Sequence, residues 1–210
     1  MSELAVIIDM DKTVVPTWDF MSDVAQALDD GFEVSKDQFY GDVDSLHIAG
    51  VDNLRHYDFF AHVRELGLDA DEVEGYILQV FKERDYVYDD VSQFLDFLLS
   101  DVRPDLATLL TYGERRFQYL KYKCAPTLGS LTCIDILEPK GKYIEEHFAG
   151  YRGVVIDDKP IAGLPANFQG VLLERDALPS DTQRYSSLSQ VKERWPDIVH
   201  ALASTTPIPP

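Results

Sequence analysis

The chain has 210 residues, 45% of them hydrophobic and 27% charged, and a net charge of −18. The first two figures fit a soluble globular protein of one large domain, or a core plus a smaller one. The acidic balance repels nucleic-acid backbones and anionic lipid surfaces, so neither nucleic acid nor membrane is expected as a partner. No apolar run approaches the ~18 residues that span a bilayer. The first residues carry neither a basic segment nor a long apolar one, so no secretion signal is expected and the location is read as cytoplasmic. Cys124 and Cys133 then read as two buried thiols rather than a disulfide.

In chain order, Ala5-Val6-Ile7-Ile8 predicts a buried strand over 5–9. From about Trp18 to Asp85 the pattern is helical, with no convincing strand. Helices are predicted over 19–28, stopped by Gly31, then over 52–66 and 71–82. In the second of these, Leu54, Phe59, Phe60, Val63 and Leu66 form the stripe and Gly67 the stop. Val91, Phe94, Leu95, Leu98 and Leu99 share one face of a helix over 91–99, with Asp89 or Asp90 as its cap. Strands follow at 106–110, 131–136, 154–156 and 170–173. Helices between them cover 114–123 and 143–148, and a last one starts at Leu188 and is interrupted by Pro196. Alternating strands and helices predict an α/β fold with a doubly wound parallel sheet, whose sites lie at the carboxyl ends of the strands. The helical stretch after the first strand reads as an insert, and the proline-rich residues 204–210 as a flexible tail.

Asp9-Met10-Asp11 lies where the first strand ends. If the chain stays extended, its period of two points Asp9 and Asp11 one way and Met10 the other. Asp-x-Asp also occurs at Asp42-Val43-Asp44 and Asp69-Ala70-Asp71, but neither follows an apolar strand, and both read as turns or helix starts. Of three Asp-Asp pairs, only Asp157-Asp158 follows an apolar strand; alone it could be a turn or cap pair. Thr111 ends the second strand, where its hydroxyl could hold a phosphate oxygen or simply cap the next helix. Lys140 and Lys142 precede a helix and singly read as solvated.

Taken in order, Ile7-Ile8-Asp9-Met10-Asp11-Lys12-Thr13, Leu109-Leu110-Thr111, Lys140-Gly141 and Val155-Ile156-Asp157-Asp158 resemble the haloacid dehalogenase-like (HAD) superfamily, over nearly the whole chain. The resemblance implies a Rossmannoid core over 1–17 and 86–203 and a helical cap of the C1 type over 18–85. It implies a phosphatase, since a carboxyl at position 11 is like the phosphatases, whereas the dehalogenase branch lacks an acid there. Asp9 would attack phosphorus to give an aspartyl-phosphate, and Asp11 would retain a proton, give it to the leaving oxygen and then activate water. Asp9, the backbone carbonyl of Asp11 and Asp158 would hold Mg²⁺, with Asp157 as the lysine's partner or an alternative ligand. Thr111 and Lys140, or alternatively Lys142, would bind the phosphoryl group. The expected reaction is hydrolysis of a small phosphorylated metabolite; a phosphotransferase or mutase, or a non-catalytic regulatory protein of the same fold, are the alternatives. Lys12 adds a cation that could meet substrate or face solvent. Arg55, His56, His62 and Arg64 are possible substrate contacts if not an exposed helix face, and Tyr57, Phe59 and Phe60 read as cap core.

Overall fold

In the computed structural model, which describes residues 3–41, 47–49, 55–176 and 184–204, the first apolar run becomes strand β1 (Glu3–Ile8). An insert follows: α1 (Thr17–Phe32), α2 (Lys36–Gly41), the strands β2 (His47–Ala49) and β3 (Arg55–Tyr57), α3 (Phe59–Glu65) and α4 (Ala70–Val80). The chain returns through α5 (Val91–Phe97) and a π turn over Leu98–Val102 to β4 (Leu106–Tyr112). Then come α6 (Arg115–Lys123), β5 (Thr132–Ile136), α7 (Lys140–His147), β6 (Tyr151–Asp157), β7 (Phe168–Leu173), β8 (Arg184–Tyr185), α8 (Leu188–Glu193) and α9 (Trp195–Ser204).

Six strands form one parallel sheet in the order β5-β4-β1-β6-β7-β8. β1 lies inside it and is covered on both faces, which is why its apolar run does not alternate with polar residues. Ala5 and Ile7 pack with Ile144 and Phe148 of the α7 side. Val6 and Ile8 pack with Leu95 and Leu98 on one helix and Val191 on another across the opposite face.

The insert has its own apolar cluster, in which Phe20, Phe39, Phe59, Phe60, Val73 and Ile77 meet Phe117, Leu120 and Cys124 of α6. Arg116 ties the two together. Its guanidinium donates to Glu74 at 2.7 Å, bonds Asp71, and lies 4.0 Å from the Phe60 ring centre. Burying Phe117, Leu120 and Cys124 against the insert commits one stripe of α6 to that side.

Several predicted elements change. The insert contains a strand pair, β2 with β3 antiparallel, where only helix was expected. The helix predicted over 52–66 starts at Phe59 because the Asp58 carboxylate accepts the Ala61 N–H at 2.8 Å, an N-cap that fixes the helix start. Asp52 and Leu54 of that prediction, Asp42-Val43-Asp44 and residues 205–210 of the predicted tail lie outside the described residues. α1 runs through Gly31, which is there for closeness: a Cβ would lie 2.6 Å from the Tyr76 ring. Glu33, at φ 58°, ends the helix instead. Gly67, at φ 82°, follows α3 as the stop signal required. Asp69 caps α4, accepting from the N–H groups of Asp71 and Glu72.

Asp90 stands at the N-cap position of α5 but makes no cap bond. Its carboxylate instead takes both hydrogen bonds of Arg175 Nη1 at 2.8 Å and the Leu188 N–H at 2.7 Å. The break near Pro196 falls at Arg194, and Pro196 sits in the first turn of α9, where its missing N–H costs nothing. Cys124 and Cys133 are both free; Cys124 is buried and Cys133 only partly so. Among the described residues, no helix is long and apolar enough to cross a membrane.

Candidate active site

The parallel register assembles the site. Ile8 pairs with Leu109 of β4 and Ile156 of β6, and the ladder continues through the Asp9 N–H to the Ile156 carbonyl at 2.8 Å. Asp9, Thr111 and Asp157 therefore reach the same edge of the sheet. Lys140 is the first residue of α7, and its Nζ donates to Asp9 Oδ1 and Asp157 Oδ2, each at 2.5 Å. The second Asp157 oxygen accepts the Lys159 N–H at 2.9 Å. Asp9 Oδ2 is buried and has no protein partner. Oxygens of Asp9, Asp157 and Asp158 lie within 4.8 Å of one another.

Burial, opposed by Lys140 and reinforced by Asp157 and Asp11, pushes the Asp9 carboxyl up to about 6. Burial, then Asp9, raises Asp158. Burial would lower the Lys140 ammonium, but Asp9 and Asp157 outweigh it and the pKa goes up.

Beyond Asp9 the chain turns tightly. Met10 is buried in the sheet core while Asp9 and Asp11 border a cavity, so the two acids share a side as the period of two requires. The Val14 and Val15 N–H groups both bond the Met10 carbonyl, and Lys12 takes a left-handed φ of 62°. Arg175 braces this turn, its Nε donating to the Thr13 carbonyl at 3.1 Å while its guanidinium lies 4.0 Å from the Tyr88 ring centre. Lys12 Nζ stands 4.8 Å over the ring of Trp18, which is 69% exposed, at the cavity wall.

Asp11 has a partner that the sequence did not announce. Lys121 of α6, 2% exposed, donates to Asp11 Oδ1, and the Thr17 hydroxyl donates to the same oxygen at 2.6 Å. Burial would raise the Asp11 carboxyl, but the Lys121 charge and hydrogen bonds from Lys121, Thr17 and Gln118 outweigh it and hold the group below the usual carboxylate value. Asp11 is expected to retain a proton; the bonds from Lys121 and Thr17 pull in the other direction, toward its charged form.

The chain's relatives are distant. No protein-family model and no curated protein matches it. Solved structures do. It is similar to a haloacid dehalogenase-like hydrolase from Burkholderia xenovorans LB400, with 14% identity and a TM-score of 0.67 over 95% of this chain and 99% of that one. The chain has the HAD-like hydrolase fold. The HAD-hydrolase YfnB from Bacillus subtilis, determined bound to magnesium, is 13% identical with a TM-score of 0.57, covering 92% of this chain and 98% of that one. An L-2-haloacid dehalogenase from Xanthobacter autotrophicus is 15% identical, also at 0.57, covering 93% and 99%.

Within the HAD-like fold, the structure places the other candidates as follows. Thr111 is wholly buried in β4 and its Oγ1 has no protein partner; the cap of α6 is Glu114, which accepts the N–H groups of Arg116 and Phe117. Thr13 Oγ1 is likewise buried without a partner. Lys142 turns to Glu138, 3.2 Å away, and Glu146, and does not border the cavity. Arg55 and His56 line the cavity from β3; His62 is buried inside the insert against Phe39, and neither it nor Arg64 borders the cavity. Phe59 and Phe60 are insert core, whereas Tyr57 also faces the cavity.

Lys121, Thr17 and Gln118 carry no motif of their own in the sequence. One signal was available: Phe117, Leu120, Lys121 and Cys124 fall at helical spacing, so Lys121 interrupts an apolar stripe.

The carboxylate group fits a cation. Its donors are all oxygens, as a hard divalent ion prefers. One of them, Asp9 Oδ2, is buried with no other partner. A buried, unpaired carboxylate oxygen is costly unless something positive meets it.

Proposed function

We propose that this protein is a Mg²⁺-dependent phosphatase that hydrolyses a small phosphomonoester through an aspartyl-phosphate on Asp9, with residues 18–85 as its cap. The observation that carries the reading is the Asp9 carboxylate: one oxygen is held by Lys140, and the other is buried and unpartnered beside Asp158. Asp11 favours a phosphatase over a dehalogenase, because a phosphoester's leaving oxygen needs a proton and a halide does not.

The residues divide the work. Lys140 borders the cavity and offers a donor to the phosphoryl oxygens; Thr111, proposed with it, is wholly buried and does not border the cavity, so its hydroxyl would have to be uncovered to take part. An Asp9 oxygen bonds phosphorus as the ester P–O bond breaks, and the Asp11–Lys121 pair delivers a proton to the leaving oxygen. In the second step a water oxygen attacks phosphorus, Asp11 takes its proton, and the bond to Asp9 breaks. Asp9 and Asp158 would hold Mg²⁺, with Asp157 engaged by Lys140 and Lys159. When bound, the ion supplies charge neutralisation between Asp9 and the phosphoryl group. The acidic composition supports a free metabolite as substrate, and nothing in this chemistry calls for a membrane.

The test is phosphate release from a panel of phosphomonoesters, including a generic aryl phosphate, with Mg²⁺. Turnover is expected that a chelator stops and Asp9→Asn abolishes. Activity surviving Asp9→Asn would remove the nucleophile, and indifference to the chelator would remove the metal. Halide release from 2-haloacids without phosphatase activity would replace the reading by a dehalogenase.

A further inference from the structure

The Asp9 N–H makes the last bond of the β1 ladder, to the Ile156 carbonyl, and past it the backbone leaves the sheet. Part of what holds the following turn is internal. The Lys12 and Thr17 N–H groups both bond the Val15 carbonyl at 2.9 Å, and Met10, Val14 and Val15 are buried. The rest comes from residues distant in sequence. The Tyr88 N–H donates to the Val14 carbonyl at 3.0 Å. Arg175, 162 positions after Thr13 and just past the end of β7, donates to the Thr13 carbonyl from two nitrogens, Nε at 3.1 Å and Nη2 at 2.5 Å.

The guanidinium is itself fixed on two further sides. Its Nη1 donates to both Asp90 oxygens at 2.8 Å, and it lies 4.0 Å from the Tyr88 ring centre. Asp90 also accepts the Leu188 N–H at 2.7 Å, at the start of α8. The Arg175 side chain is 12% exposed and that of Asp90 15%, so water competes little for these bonds. One planar group thus ties the turn to the start of α5, the end of β7 and the start of α8. A lysine cannot do the same, because its ammonium has no fork to meet a carbonyl with two donors and a carboxylate with a third.

What this clamp fixes is specific. Asp9 precedes the turn and is held by the ladder and by Lys140, neither of which involves Arg175. Asp11 lies inside the turn, and Thr17, which donates to its carboxylate, closes it. A displaced Thr13 carbonyl moves Asp11 and spares Asp9. Misplacing a reacting group by ~1 Å costs on the order of 100-fold in rate.

We propose that Arg175 is a positioning residue that acts through the Thr13 carbonyl to hold Asp11 where it can give a proton to the leaving oxygen. The proposal rests on the phosphatase reading for where the proton goes; the clamp itself does not.

The experiment compares the wild type and Arg175→Lys on phenyl phosphate and para-nitrophenyl phosphate. The two esters are alike in shape, but phenolate is the more basic leaving group and needs the proton, whereas nitrophenolate leaves readily without one. Arg175→Lys is expected to lower kcat/KM for phenyl phosphate by about tenfold or more and for para-nitrophenyl phosphate by less than about threefold. A variant that was only less folded would lower both alike. Hydrogen exchange followed by mass spectrometry should show faster exchange over residues 10–17 and no change in β1 or β6. If Arg175→Lys does not fold, Arg175→Met with Asp90→Asn removes both charges together, leaves neither buried alone, and should show the same split. Equal losses on the two esters, or no loss on either, overturn the positioning role while leaving the phosphatase intact. If the wild type turns over neither ester, the phosphatase reading falls and the exchange decides the clamp. Acceleration confined to residues 10–17 supports it; unchanged exchange, or acceleration across the whole sheet, overturns it.

Discussion

Lys121 and Asp11, 110 residues apart in sequence, form an ion pair in which the ammonium is 2% exposed and the carboxylate side chain 27%. The lysine also lies 4.8 Å from the Phe117 ring centre, so its stem and head are both fixed by α6 packing. We expect Lys121→Met to lower kcat on an aryl phosphate by about 10- to 100-fold, with KM moved less than about threefold, because it disturbs the group that handles the proton. It should also cost about 1–3 kcal/mol of stability, since Asp11 keeps Thr17 and some water as partners. Phosphate-release kinetics and a urea unfolding midpoint check both. An unchanged kcat would exclude Lys121 from the reaction.

Gly141 follows Lys140 at the start of α7, and its missing side chain is what lets the helix approach the turn after β6. A Cβ at this position would lie 2.2 Å from the Ala162 carbonyl oxygen and 2.7 Å from the Gly163 carbonyl. Both obstacles are backbone and cannot rotate away. Gly141→Ala should therefore cost about 1–3 kcal/mol through overpacking. It should reduce activity by up to about 100-fold as Lys140 shifts from Asp9 and Asp157. Gly75 is the control: it sits on the exposed face of α4 with nothing within 4 Å of an added Cβ. Gly75→Ala should leave activity unchanged and stabilise by about 0.5–1 kcal/mol through helix propensity. Equal effects of the two substitutions would contradict the close approach.

Both thiols should be slow to alkylate. Burial pushes Cys124 up to about 11, and burial with Asp135 does the same for Cys133. The thiolate is the nucleophile, and a raised pKa shrinks it at any pH below that value. At pH 8 about one thiol in a thousand is then ionised, against roughly one in four for an unperturbed cysteine. Labelling of the native protein with iodoacetamide should run about a few hundred-fold slower than in denaturant and keep rising towards pH 11. Rapid labelling of the native protein that levels off near pH 9 would show an ordinary thiol.

Much of the fold was legible because its signals are local. The run before Asp9 has no alternation because β1 is covered on both faces, and that burial is written in the run itself. The stripe Val91, Phe94, Leu95 and Leu98 gave α5 and its continuation with nearly correct bounds, but Leu99, read onto the same face, is exposed because the π turn rotates it away from the core. The misreadings fall where local pattern and tertiary role diverge. Phe59, Phe60, Val63 and Leu66 do lie in and just after α3, but the same stretch was extended backwards over Arg55, His56 and Tyr57, which form a strand. Gly31 looked like a stop and is a contact with Tyr76.

By itself the sequence determined which residues end successive strands: Asp9 after β1, Thr111 in β4, Asp157 in β6; it placed Lys140 ahead of a helix over 143–148, whereas α7 begins at Lys140 itself. Strand ends can be read from apolar runs, and a parallel sheet must then bring them to one edge. The tertiary structure alone decided what faces them. Lys121 meets Asp11 only because α6 packs between sheet and insert, and that contact is what draws the Asp11 carboxyl below its ordinary value against its burial. His56, Tyr112 and Gln118 border one cavity although they come from the insert, a strand and a helix. Such pairings depend on how elements dock across long sequence separations, and no periodicity within any one of them encodes that docking.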